Sequence, residues 1–204
     1  MTGLRAKHKA DRNSRILEAA SRLFREAGYE GSRIEAIAAE AQVSIGTIYN
    51  YYQNKGDILV AIVSMEVNEV LQAGRQIIDK PPRNVARAID ALIATYIEHS
   101  LVYLSKEMWR QAMAISTQQP DSPFGKTYAA LDRSLTDQTC ALLEKLQKLG
   151  LVKEETDARG VGEMIFNNMN MMFIEFVKRE ATTIAQLRDS IRRQNLTLMQ
   201  AIAI

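Results

Sequence analysis

The chain has 204 residues, of which 47% are hydrophobic and 25% charged, with ten glycines, four prolines and a net charge of +2. Those are the values of a globular chain long enough to bury its own core, and they exclude disordered, collagen-like and low-complexity classes. The single cysteine, Cys140, excludes an internally disulfide-stapled module. No apolar run reaches the length of a membrane span, and no apolar segment follows the basic start, so a soluble, cytoplasmic protein without membrane association is expected.

Charge is uneven along the chain. Residues 1–55 carry nine positive and six negative side chains, and the remainder seventeen and eighteen. Five of the nine positives, Arg5, Lys7, Lys9, Arg12 and Arg15, fall in the first fifteen residues. A basic arm on a neutral body points to a polyanionic partner near the N-terminus.

Helical periodicity runs almost throughout. Ile16, Leu17, Ala20, Leu23, Phe24 and Ala27 form one apolar stripe, stopped at Gly28. Ser32-x-x-Glu35 reads as a capping box opening a short helix through Ile34, Ile37, Ala38 and Ala41. After a tight turn at Gln42-Val43, Ser44 caps a third helix from Ile45 to Tyr52, with Val43 and Ile48 facing inward. Asn54-x-x-Asp57 opens a fourth helix carried by Ile58, Leu59, Ile62, Val63, Val67, Val70 and Leu71.

Pro81-Pro82 interrupts the chain. Helices are expected from about Arg83 to Tyr103, Lys106 to Thr117, Phe124 to Leu149, Ala158 to Lys178 and Ile184 to Ile202. A loop over 118–123 and a stop at Gly150 separate them. The fold class is therefore all-α, about nine helices, with domains over 1–56 and 57–204.

Three short helices, the last two joined by a tight turn, have the pattern of a helix-turn-helix. Its second helix leaves Thr47, Tyr49, Asn50 and Tyr51 outward or sideways, residue types suited to base edges and phosphate oxygens. Lys55 is placed to neutralise a phosphate, and the helix starts near Ser32 and Ser44 present free amides.

The stretch Ile16–Val63 resembles the DNA-binding domain of the TetR (tetracycline-repressor-like) family. The marks are Ala20-x-x-Leu23-Phe24-x-x-x-Gly28-Tyr29, Ile37-Ala38, Val43-Ser44-x-Gly46-Thr47-Ile48-Tyr49-x-Tyr51-Tyr52, and Lys55-x-Asp57-Ile58-Leu59. The resemblance covers about a quarter of the chain. It implies a homodimeric transcription regulator, usually a repressor, that binds a palindromic double-stranded DNA operator and is released by a small-molecule effector. It places DNA contacts on Ser44, Ile45, Gly46, Thr47, Tyr49, Asn50, Tyr51 and Lys55, with Ser32 and Arg33 at the start of the second helix. Three positions depart from the family pattern. Ile45 stands where basic or polar residues are common, Tyr52 where phenylalanine is usual, and Glu35 where many relatives carry arginine.

Within the C-terminal body, the bulky side chains Tyr96, His99, Tyr103, Trp109 and Met113 are candidates to line an effector pocket. Phe124 and Tyr128 extend the set, with Arg110 and Asn168 as polar partners. The last two helices read as a dimer interface through Val161, Ile165, Met172 and Phe176, and through Leu187, Ile191, Leu198 and Ile202.

Two histidines and one cysteine give no ordinary metal-ligand spacing, and no phosphate loop or nucleophile motif is present. The sequence thus implies no enzyme, cofactor or metal. The alternative to a DNA-binding regulator is a helix-turn-helix adaptor that binds proteins and no specific DNA.

Overall fold

The computed structural model describes residues 2–204, with side chains described at residue 3 and from residue 6 onward. Nine helices account for about three quarters of the described residues, joined by turns and loops, with a single antiparallel bridge between Val152 and Ala203. They are α1 (Thr2–Ala27), α2 (Ile34–Glu40), α3 (Ile45–Tyr49), α4 (Lys55–Asp79), α5 (Val85–His99), α6 (Lys106–Gln118), α7 (Pro123–Lys148), α8 (Ala158–Lys178) and α9 (Ile184–Ile202). No helix among the described residues is long and apolar enough to cross a membrane.

The chain divides into two compact units. The first comprises residues 1–65 and 102–128, the second residues 66–101 and 129–204. This division differs from a cut at 56/57 because α4 continues unbroken past that point and α6 clusters with the N-terminal helices.

In the first unit, α1 buries Ile16, Ala20 and Phe24 completely, with Ile37 of α2, Ile48 of α3 and Ile58 and Leu59 of α4 equally enclosed. Gly28 ends α1 at φ +76°, a left-handed stop that glycine adopts without strain. The loop after it is held from three sides. Glu107 on α6 accepts the Tyr29 amide at 3.1 Å. The Ser32 hydroxyl reaches the Leu23 and Gly28 carbonyls at 3.1 and 2.8 Å. Lys55 Nζ donates to the Tyr29 and Glu30 carbonyls at 2.8 and 3.1 Å.

Several local expectations need correction. The basic segment is not an arm: Lys7, Lys9, Arg12 and Arg15 ride on α1 itself, while the Arg5 side chain lies outside the described residues. Ser32 does not cap α2. The N-cap is Arg33, which makes no side-chain cap bond, because the serine hydroxyl is turned inward to the end of α1. The third helix stops at Tyr49, three residues early, and α5 stops at His99, where the Ser100 hydroxyl folds back on the Ile97 carbonyl at 2.7 Å. Asn54 and Asp57 do open α4: Asn54 Oδ1 accepts the Asp57 amide at 3.0 Å, and Asp57 Oδ2 accepts the Gln53 amide at 2.8 Å.

The second unit is a bundle in which two glycines admit close contacts between helices. A Cβ at Gly162 of α8 would lie 2.6 Å from the Cys140 Cα of α7, so these two helices meet backbone to backbone. At Gly74 of α4 a Cβ would lie 2.2 Å from Gln138 Oε1. The missing side chain opens a slot through which Gln138 Nε2 reaches the Leu71 carbonyl at 2.8 Å, while Tyr96 of α5 donates to Gln138 Oε1 at 2.7 Å. Asp157 and Thr183 cap α8 and α9, the latter in a reciprocal box with Gln186.

Candidate nucleic-acid interface

The turn between α2 and α3 is built by two main-chain bonds, Gln42 N to Ala39 O and Val43 N to Ala38 O, with Gln42 in the left-handed region at φ 54°. Ser44 then caps α3, its Oγ accepting the Thr47 amide at 3.1 Å and lying 2.8 Å from Thr47 Oγ1. Ile48 points inward with no exposed surface, and this inward anchor turns the opposite face of α3 to solvent.

Arg33, Ser44, Ile45, Gly46, Tyr49 and Asn50 are exposed, and Thr47, Tyr51 and Lys55 are half-buried. Ser32 is buried, so its side chain is withdrawn from any partner and serves the loop after α1. Lys55 likewise spends two of its three N–H donors on main-chain carbonyls, and its ammonium lies 4.8 Å from the Tyr29 ring centre. One donor remains to offer a phosphate. The Tyr51 hydroxyl donates to the Lys9 carbonyl at 3.1 Å, and Tyr52, buried, donates to Asn13 Oδ1 at 2.6 Å. Burial pushes the Tyr52 phenol above its ordinary range.

Sequence reasoning missed these two bonds, which join the basic part of α1 to the end of the helix-turn-helix. The signal was available as the pairing of adjacent tyrosines with a helix that continues upstream of Ile16.

Residues 16–62 match the family model described as bacterial regulatory proteins, tetR family. The match spans α2, α3 and the ends of α1 and α4 that flank them, about a quarter of the chain. The chain is 27% identical to the fatty acid metabolism regulator protein of Bacillus subtilis over 80% of its own length and 82% of the relative's. Its fold matches a TetR-family transcriptional regulator structure from Mesorhizobium loti with a TM-score of 0.77 at 18% identity, covering 96% of this chain and 98% of that one. It also matches Bacillus subtilis FadR in complex with stearoyl-CoA with a TM-score of 0.66 at 21% identity, covering 88% and 95%.

The expected effector-pocket residues fall in both units. Tyr96, His99 and Asn168 belong to the second, and Tyr103, Trp109, Arg110, Met113, Phe124 and Tyr128 to the first. In the first unit Trp109 and Phe124 are buried, and the Phe124 and Tyr128 rings stack at 6.5 Å. In the second, His99 lies between two carboxylates of α4, with Nδ1 2.6 Å from Glu66 Oε1 and Nε2 3.2 Å from Glu69 Oε2. Asn168 is placed differently: its amide donates to Asn195 Oδ1 of α9 at 3.3 Å. Among the described residues no group of three His, Cys, Asp or Glu could hold a metal ion.

The expected dimer stripe is also corrected. Ile165, Phe176, Leu187, Ile191 and Ile202 are buried within this chain, where α9 packs on α5 and α8. Val161, Met172 and Leu198 are half-buried. The large apolar side chains left outward on these helices are Met164 (60% exposed), Met171 (58%) and Leu196 (44%). A stripe dense enough to read as an interface had already been taken by the core of the bundle.

Proposed function

We propose that the protein is a cytoplasmic transcriptional repressor that binds a palindromic DNA operator as a homodimer and releases it on binding a small molecule. The observation that carries this reading is α3 itself. One short helix is anchored by buried Ile48 and presents Ile45, Tyr49 and Asn50 outward behind a tight turn. A folding scaffold has no need to expose 53% of a tyrosine and 41% of an isoleucine there.

Self-association through Met164, Met171 and Leu196 supplies the two-fold symmetry. Two reading helices about 34–36 Å apart meet successive major grooves on one side of the duplex. An effector that alters this separation lowers affinity because only one spacing fits both half-sites.

The effector is proposed to be a fatty acyl thioester. Support comes from the fatty acid metabolism regulator matched over four fifths of both chains and from the FadR neighbour with stearoyl-CoA. The test is a thermal-shift titration with acyl-CoAs of graded chain length beside free CoA, followed by operator release. A ligand at a hundred times its Kd stabilises the folded state by about 2.7 kcal/mol. No shift with any chain length would remove this effector class and leave the DNA-binding reading intact.

A further inference from the structure

We infer that the operator is read at thymine, with the side chain of Ile45 lying against the 5-methyl group of a T·A pair. The inference rests on the reading that α3 enters the major groove. Ile45 and Tyr49 stand one turn apart and so share a face of α3. Among the residues described between 6 and 65, they are the two exposed large hydrophobic side chains.

In the major groove thymine alone presents a methyl group, so an apolar side chain discriminates there chiefly through that methyl. α3, with the sequence Ile-Gly-Thr-Ile-Tyr, carries no arginine or lysine that could grip guanine O6 and N7. The hydroxyls flanking Ile45 are turned to local work, Ser44 Oγ and Thr47 Oγ1 lying 2.8 Å apart over the helix start. Asn50, exposed at the other end of α3, has the side chain that pairs with adenine N6 and N7.

Gly46 gives a separate argument. It lies within α3, where glycine is a poor helix former, yet its backbone is not left-handed. A Cβ built there would meet only Ser44 Oγ, at 3.8 Å. Neither backbone conformation nor internal packing asks for glycine at this position. A bare backbone beside an exposed isoleucine instead suits the close approach of an outside surface. Ile45, Gly46 and Tyr49 together form a shallow apolar step able to seat a methyl group.

The experiment begins with an operator duplex selected by the full-length wild-type protein from a random-sequence library. Each thymine is then replaced in turn by uracil, which removes the methyl group and keeps the base pair. Affinities are measured by fluorescence anisotropy for wild type, Ile45→Ala and Gly46→Ala. The wild type is expected to lose about four-fold per half-site at one thymine position, the worth of one buried methyl group. Ile45→Ala is expected to bind the thymine and uracil duplexes equally while melting like the wild type. Gly46→Ala is expected to melt no lower than wild type and still bind the operator at least about ten-fold more weakly.

A wild type indifferent to uracil at every position, or an Ile45→Ala variant that keeps the full methyl sensitivity, would overturn the thymine assignment while leaving DNA binding in place. Failure of the selection to enrich any duplex would overturn the underlying reading and the assignment with it.

Discussion

The hydroxyl of Tyr51 donates to the main-chain carbonyl of Lys9, 42 residues earlier, and the Lys9 ammonium lies 5.8 Å from the centre of the same ring. With Tyr52 bonded to Asn13 one turn along α1, the basic start of the chain is held to the end of the reading helix. Its charges therefore occupy fixed places on a helix beside α3. Lys9→Gln together with Arg12→Gln is expected to lower the slope of log affinity against log salt by up to about two, with little change in melting temperature. Tyr52→Phe is expected to cost about 1 kcal/mol of stability in urea unfolding, the usual net worth of such a bond.

Gln42 is the only non-glycine residue described with a left-handed backbone, and it forms the turn between α2 and α3. A side chain in that conformation costs about 1–2 kcal/mol relative to glycine. Gln42→Gly is therefore expected to raise unfolding stability by about 1 kcal/mol, part of the gain being returned to the more flexible unfolded chain. A loss of stability would mean that the Gln42 side chain itself braces the turn.

Asp132 on α7 is half-buried, and burial pushes its carboxyl up to about 6. In the unfolded chain it ionises near the ordinary value of about 3.9. Between these values the folded state holds the proton more tightly, so this residue's contribution to stability falls as pH rises, and the full penalty is present above pH 6. Asp132→Asn is expected to be more stable than wild type by about 2 kcal/mol at pH 7.5. That advantage should shrink through the window from 6 down to 4 and vanish below it. Denaturant unfolding at four pH values reads this directly, and a gap that does not narrow in acid would refute it.

Helix periodicity, proline and glycine punctuation and the family motif together made the helix order and the helix-turn-helix legible from sequence. Side-chain direction was far less so. Leu187, Ile191 and Ile202 form a regular stripe, but periodicity cannot say whether a stripe faces its own bundle or a second copy. The structure turns it inward. Ser32-x-x-Glu35 and Thr183-x-x-Gln186 look alike as capping boxes, yet only the second forms. The first serine is claimed by carbonyls of α1 that come near only once the chain has folded. The main-chain bonds of Lys55 were hidden for the same reason, since nothing in the sequence places the Tyr29 carbonyl within its reach.

The outward methionines of α8 and the inward stripe of α9 allow the proposed dimer to be tested apart from folding. Met164→Glu with Met171→Glu is expected to turn a dimer into a folded monomer by light scattering, without loss of helical content. Ile191→Ala, at a side chain 1% exposed, is expected to cost about 2–5 kcal/mol of stability through the cavity it leaves. A double methionine variant that remains dimeric would place the interface elsewhere.

The central claim is sequence-specific DNA binding through α3, and one titration tests it most directly. Full-length protein is titrated by fluorescence anisotropy against DNA flanking its own gene and against a scrambled duplex, at several salt concentrations, beside Tyr49→Ala. Affinity for one flanking site is expected to be at least about a thousand-fold above the scrambled duplex, with a steep salt slope and a loss of about ten-fold or more on Tyr49→Ala with unchanged folding. Equal affinity of wild type and Tyr49→Ala for that site would contradict the central claim.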